Sequence, residues 1–259
     1  MKFASGKIHI HELSNPSLRR PVLIHGLPGL GYVGKIAADY LIEELRPEPL
    51  AELYSAYLFL SDGSAGVSIN LDGTFDLPKL EFYAYGEGKT HFIVVTGDVQ
   101  PLTLGQYEVI NAVLDFAQSY GCPYVVALGG FQTRLESEIG KVYGVASNRK
   151  LVEKLVNLGV QITRSGAITG ACGLVLGLAK HRGMDGVGLL GATRGEHPDM
   201  MASRSLLKVL SKLLDIPIDT KRLEEEIREM REKMESLRRF QREVHERIRR
   251  SSERRALYV

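Results

Sequence analysis

The chain has 259 residues, 44% hydrophobic and 25% charged, with a formal net charge of +2. These proportions suit a globular protein with one sizeable core, and so even a charge balance gives no general reason to expect a nucleic-acid partner. Its two cysteines, Cys122 and Cys172, lack metal-ligand spacing, and neither a signal-peptide core nor a run of about eighteen apolar residues occurs, so the expectation is a cytoplasmic protein with no disulfide, no metal and no membrane partner.

From the N-terminus, His9 and His11 alternate onto one strand face, too few ligands for a metal site. Strands are then predicted at Val22–His25, Leu50–Tyr57, Val67–Asn70, Leu80–Ala84, His91–Thr96, Tyr124–Leu128 and Gly186–Leu190. Helices are predicted at Val33–Leu45, Leu104–Tyr120, Asn148–Leu158, Ala171–His181 and Pro198–Leu214. Runs such as FIVV and YVVAL are apolar at every position, which suits strands covered on both faces. The alternation predicts an α/β fold over residues 1–215: a three-layer sandwich whose central sheet is mostly parallel, with an antiparallel portion within Leu50–Tyr85.

Two stretches invite a chemical reading. Gly29, Gly31 and Gly34 spell G-x-G-x-x-G between a strand and a helix, and with Lys35 they nearly spell a phosphate loop. Yet position 36 is Ile, so the magnesium-binding hydroxyl is missing, and the next strand, LAELYSAYLFL, has no acid at its end to hold a ribose. The competing reading is a turn that brings helix and strand into close packing, and no cofactor is expected. After GVGLL, the residues Thr193, Arg194, Glu196, His197 and Asp199 could act as acid, base and anion clamp, although Pro198 and Asp199 also suit a helix start. His25 and His91 stand at strand ends, where satisfied polar residues are the ordinary case.

After Asp215-Ile216-Pro217 the composition changes. From Asp219 to Arg255 there are 13 Lys/Arg and 10 Asp/Glu in 37 residues, without Gly or Pro. Leu223, Ile227, Met230, Met234, Leu237, Gln241, Val244 and Ile248 recur at steps of four and three, a heptad seam with one polar position. This predicts a long helix over 216–250, which either packs on its own core or projects and pairs with a sister chain. Residues 251–259 form a basic tail that finishes on Leu257, Tyr258 and Val259.

The segments PGLGYVGKIAADYLI, ALGGFQT, GAITGACGLVLGLAKHRGMDGVGLL and ATRGEHPDMMASRSLLKVLSKLLDIPIDTKRL follow one another in the order expected of the proteasome-assembly-chaperone family. Over residues 18–230 the chain resembles archaeal members of it. The resemblance implies an α/β core of nucleoside-phosphorylase-like architecture, a non-enzymatic role, a homotetramer, and the 20S proteasome as partner. It also implies that Leu257, Tyr258 and Val259 are the hydrophobic–Tyr–any-residue (HbYX) motif that proteasome activators insert between α-subunits. Two rival readings are an enzyme of the nucleoside-phosphorylase class acting at the 193–199 loop, and a scaffold that recruits another partner through the heptad helix.

Overall fold

The computed structural model describes residues 8–229 and Glu232. The strands in chain order are β1 (Ile8–Glu12), β2 (Val22–His25), β3 (Glu48–Ser55), β4 (Ser68–Ile69), β5 (Phe75–Asp76) and β6 (Lys79–Glu87). They continue with β7 (Thr90–Gly97), β8 (Tyr124–Gln132), β9 (Val142–Ala146), β10 (Gln161–Ile162) and β11 (Asp185–Thr193). The helices are α1 (Val33–Leu45), α2 (Gln106–Ser119), α3 (Arg149–Asn157), α4 (Gly170–His181) and α5 (Met200–Leu214). Residues 221–229, in a second unit that begins at Asp219, are also helical.

Nine strands form one sheet in the order β1-β3-β6-β7-β2-β8-β11-β9-β10. Its centre is parallel: β2 pairs with β7 and β8, and β8 with β11. These are the strands whose sequences are apolar at nearly every position, and helices cover both faces, α1 and α5 on one, α2 and α4 on the other. A residue pointing to either face there meets a helix, so alternation has nothing to select.

The sheet as a whole is mixed, with four parallel and four antiparallel ladders. The expected antiparallel portion is present in β3 and β6, and it reaches further than expected, to β1 at one edge and to β9, antiparallel to β11, towards the other. In β6, Leu80, Phe82 and Ala84 are buried while Lys79, Glu81 and Tyr83 alternate with them, the pattern of a sheet covered on one side. Phe82 meets Phe116 of α2 edge to face at 4.8 Å between ring centroids. On the other side Glu52 accepts hydrogen bonds from Lys79 and from Tyr54, the latter at 2.8 Å.

The strand expected at Val67–Asn70 shrinks to the two residues of β4, which pair with β5 in a separate hairpin. Asp72 and Gly73 make its turn, Gly73 with φ of 85°, and Ile69 and Phe75 on its strands are exposed.

Caps explain where helices begin and end. Asn148 accepts from the Leu151 amide at 3.0 Å to start α3, and Asp199 accepts from the Ala202 amide at 2.9 Å to start α5. Arg46 and Asp215, both left-handed, end α1 and α5. The start of α1 packs onto β8 at backbone distance: a Cβ placed on Gly34 would lie 2.2 Å from the Leu128 carbonyl oxygen.

Gly34→Ala is therefore expected to lower stability by about 2–3 kcal/mol through overpacking against a backbone that cannot move aside. Gly177→Ala, on an exposed turn of α4 with no atom within 4 Å of the new methyl group, is expected to raise it by about 0.5–1 kcal/mol. Chemical denaturation of the two variants beside the parent checks both signs.

Candidate functional site

The glycine loop is the sharpest sequence motif, and its folded geometry is that of a packing joint. After β2 the chain makes a short 3-10 turn at Leu30–Tyr32, with Gly31 at φ 60° and Tyr32 at φ 53°. The Gly31 carbonyl accepts from the Asp199 amide at 2.8 Å, and the Val33 carbonyl accepts from the Ser203 hydroxyl at 3.1 Å, so the loop is bound to the start of α5. Lys35, the candidate phosphate ligand, is largely buried and pairs with Asp39 at 2.9 Å and Asp98 at 3.3 Å. Burial opposes its charge, but Asp39 and then Asp98 overcome that and hold its pKa above the ordinary lysine value. A cation with two carboxylate partners, on a loop with no magnesium-binding hydroxyl, is not poised for a phosphate.

The 193–199 stretch scatters. Thr193 is buried at the end of β11, where its hydroxyl accepts from the Gly195 amide at 3.1 Å. Arg194 pairs with Glu136, and Asp199 caps α5. Glu196 and His197 are exposed. Three of the five candidates are thus engaged in folding contacts, and those contacts do not assemble an acid, a base and an anion clamp around one point.

A cavity of about 480 Å³ opens at the carboxyl ends of β2 and β8, between the glycine loop and the start of α4. Glycines 29, 34, 129, 130 and 170 leave much of its wall as bare backbone. Gln100 spans it: its amide nitrogen donates to the Pro28 carbonyl, and its oxygen accepts from the Ala171 amide at 3.2 Å, in the first turn of α4. His25 also lines it, 0% exposed. The expectation that His25 is a satisfied strand-end residue fails, because neither ring nitrogen meets hydrogen-bond geometry with a partner among the described residues. The same holds for Nδ1 of His91, far along the sheet at the start of β7. Burial pushes the His25 pKa down from 6.5 to about 4, only partly offset by the ring's own backbone, so the imidazole is neutral at pH 7.

Cysteine chemistry is quiet. Cys122 and Cys172 are free, and burial pushes both thiols up to about 12, well away from the reactive thiolate. Among the described residues no three His, Cys, Asp or Glu side chains gather as a metal site, His9 and His11 included, and no helix is long and apolar enough to cross a membrane. Of the heptad seam, Leu223 and Ile227 fall one turn apart on the helical stretch 221–229. Met230, Met234, Leu237, Gln241, Val244 and Ile248 lie outside the described residues, as do Leu257, Tyr258 and Val259.

Gln100 escaped the sequence reading, since it carries no motif, whereas the start of α4 was expected as a helix start at Ala171, one residue from its place, and not as part of a cavity. His25 had one faint signal: a titratable residue closing an otherwise apolar strand.

Comparison with known proteins sets these features in context. The model of the PAC2 family matches residues 23–238. The uncharacterized protein MJ1210 of Methanocaldococcus jannaschii is 35% identical over 229 residues, 88% of this chain and 86% of that protein. Among solved structures the chain is similar to Pyrococcus furiosus PbaB, described as an archaeal proteasome activator, with a TM-score of 0.82 and 33% identity over 89% of this chain and 98% of that one. It is also similar to PbaA of the same organism, described as an archaeal homolog of proteasome-assembly chaperone, with a TM-score of 0.72 and 27% identity over 94% and 99% of the two chains.

The neutral buried imidazole makes stability depend on pH. His25 in the unfolded chain takes up a proton near pH 6.5, whereas in the folded protein it does so near 4. Its contribution is intact above pH 6.5 and is lost as pH falls towards 4, by roughly 3 kcal/mol at about 1.36 kcal/mol per pH unit. Urea denaturation between those pH values should show that loss in the parent and a flatter profile in His25→Phe; parallel profiles would contradict it.

Proposed function

The chain belongs to the PAC2 family, and on that premise we propose that it is a non-catalytic, ATP-independent chaperone or activator of the 20S proteasome. The observation that carries this reading is the likeness of the whole α/β body to an archaeal proteasome activator. The fate of the two enzyme-like motifs supports it. The glycine loop packs, its lysine is paired, and the 193–199 residues cap, buttress or face solvent.

The working end of the molecule is Leu257, Tyr258 and Val259. Tyr258 offers a rigid ring with a hydroxyl, the profile of a hot-spot residue, and Leu257 fills an apolar niche beside it. The mode requires a free carboxylate on Val259, which a lysine in a partly dehydrated pocket between proteasome α-subunits would hold by a charge-assisted bond. One such tail buries little surface and binds weakly. Several tails tethered to one homotetramer, joined through the Leu223–Ile248 seam, gain by effective concentration. The basic residues of 247–255 keep the tail solvated and steer it towards acidic surface. Tail docking favours whichever α-ring arrangement presents the better-formed pockets, so assembly and gate opening share one physical cause.

Removing residues 257–259 is expected to abolish capture by purified archaeal 20S particles while the oligomer, read by analytical ultracentrifugation, stays intact. Tyr258→Ala should weaken capture by about 30-fold or more, the equivalent of a 2 kcal/mol hot spot. Lys35→Ala should leave it unchanged. A large Lys35→Ala effect beside a silent Tyr258→Ala would reverse the assignment.

A further inference from the structure

From Val67 to Leu77 the sequence VSINLDGTFDL alternates apolar and polar residues on both arms of a turn, the pattern of strands with one buried face. Folding forms that face and leaves it open. Ile69 lies directly opposite Phe75 in the β4–β5 ladder, so their side chains share one side of the hairpin. Val67 and Leu77 come two residues further along the two arms, on the same side by the period of a strand. Ile69 is 80% exposed and Phe75 70%, and Val67, Leu77 and the turn residue Leu71 are exposed with them. The polar residues bond among themselves: Asn70 donates to Asp76 at 2.7 Å and to Thr74 at 2.9 Å, and Asp72 accepts from the Thr74 amide at 2.9 Å. Those bonds fix the hairpin's register and hold the apolar side in place. A two-stranded ribbon is marginal in water by itself, and a contiguous apolar patch is the mark of a protein contact.

We propose that this face binds the same face of a second copy of the chain, the two hairpins packing face to face about a twofold axis. Chemistry selects the occupant. None of the five side chains carries a charge or a hydrogen-bonding group with which to choose an unlike partner, and so apolar a surface has the composition of a contact between identical chains. From Ser55 to Pro78 there is no Lys, Arg, His or Glu, and the three aspartates accept hydrogen bonds from Ser64, Thr74 and Asn70 of their own turns. Asp76, opposite Ser68 in the ladder, alternates with the apolar residues and turns outward in such a pair, so its carboxylate meets water and not its twin. Area agrees with this occupant. The five residues leave about 600 Å² open in one copy, so a pair removes roughly 1,200 Å² from water, the lower bound of a standard specific interface. Symmetry agrees too, because a patch that meets itself closes at two copies and builds no open filament. The contact lies within residues 1–218, apart from the Leu223–Ile248 seam, and does not rest on proteasome docking. Beside a seam that pairs chains, a second twofold contact makes a dimer of dimers.

The test uses the full chain and analytical ultracentrifugation at micromolar concentration. Ile69→Asp combined with Phe75→Asp is expected to halve the parent's mass, whether the parent is a dimer or a tetramer. Both residues are exposed in the single chain, so far-UV circular dichroism should stay that of the parent. Cross-linking supplies a second reading that does not depend on the double variant. Ile69→Cys treated with a short bismaleimide should give covalent dimers, whereas Ser68→Cys, on the outward side, should not. Cys122 and Cys172 do not compete, since burial pushes both thiols up to about 12. A monomeric parent, an unchanged mass in the double variant, no covalent dimer from Ile69→Cys, or equal cross-linking from Ser68→Cys would each overturn the proposal.

Discussion

The approach of one backbone to another organises this molecule. The start of α1 rests against the end of β8 with no side chain between them, and the carbonyl of Leu128 occupies the space that any Cβ on Gly34 would need. Gly26 repeats the arrangement one step earlier, where a Cβ would sit 2.5 Å from the Gly34 carbonyl oxygen. A helix seated so close to the sheet draws its preceding loop over the strand ends. There the loop is tied to α5 through Asp199 and to α4 through Gln100. Two of the three glycines that spell a nucleotide-binding fingerprint are consumed by this joint, Gly34 against Leu128 and Gly31 against Thr193. A fingerprint marks a place where a backbone must come near something, and here the near neighbour is the protein's own strand.

Much of the body was legible in its sequence because the physical signals were strong. The runs FIVV and YVVAL announced strands buried on both faces, and α1 and β2 appear at the predicted bounds, Val33–Leu45 and Val22–His25. The elements that escaped were short or lay at edges. β9 is five residues interrupted by Gly144, and β10 is two residues, so neither is long enough to establish a period. Their positions follow from pairing with β11 and with each other, which is tertiary information. That is also why the balance of parallel and antiparallel ladders could not be read in advance. His25 illustrates the limit at the site: its residue type and strand-end position were visible, but the lack of a partner for its ring depends on every neighbour that folding brings near. The role proposed for the C-terminal residues rests on a family resemblance alone, since three residues carry little pattern of their own.

The body is a sheet whose loops are braced by caps, ion pairs and glycine contacts, and its enzyme-like signatures resolve into these braces. It is an α/β body of the PAC2 family, followed in sequence by a charged, heptad-patterned stretch and by Leu257, Tyr258 and Val259. On the function proposed above, weak docking of single C-termini and firm capture of the particle are compatible, because tethering converts weak contacts into a strong collective one.

The central claim is that a terminal carboxylate beside Tyr258 makes the contact with the 20S particle. The most direct measurement is co-sedimentation of 20S particles with a chain carrying one additional glycine after Val259. Displacing the carboxylate by one residue should abolish co-sedimentation; undiminished co-sedimentation of the extended chain would contradict the account.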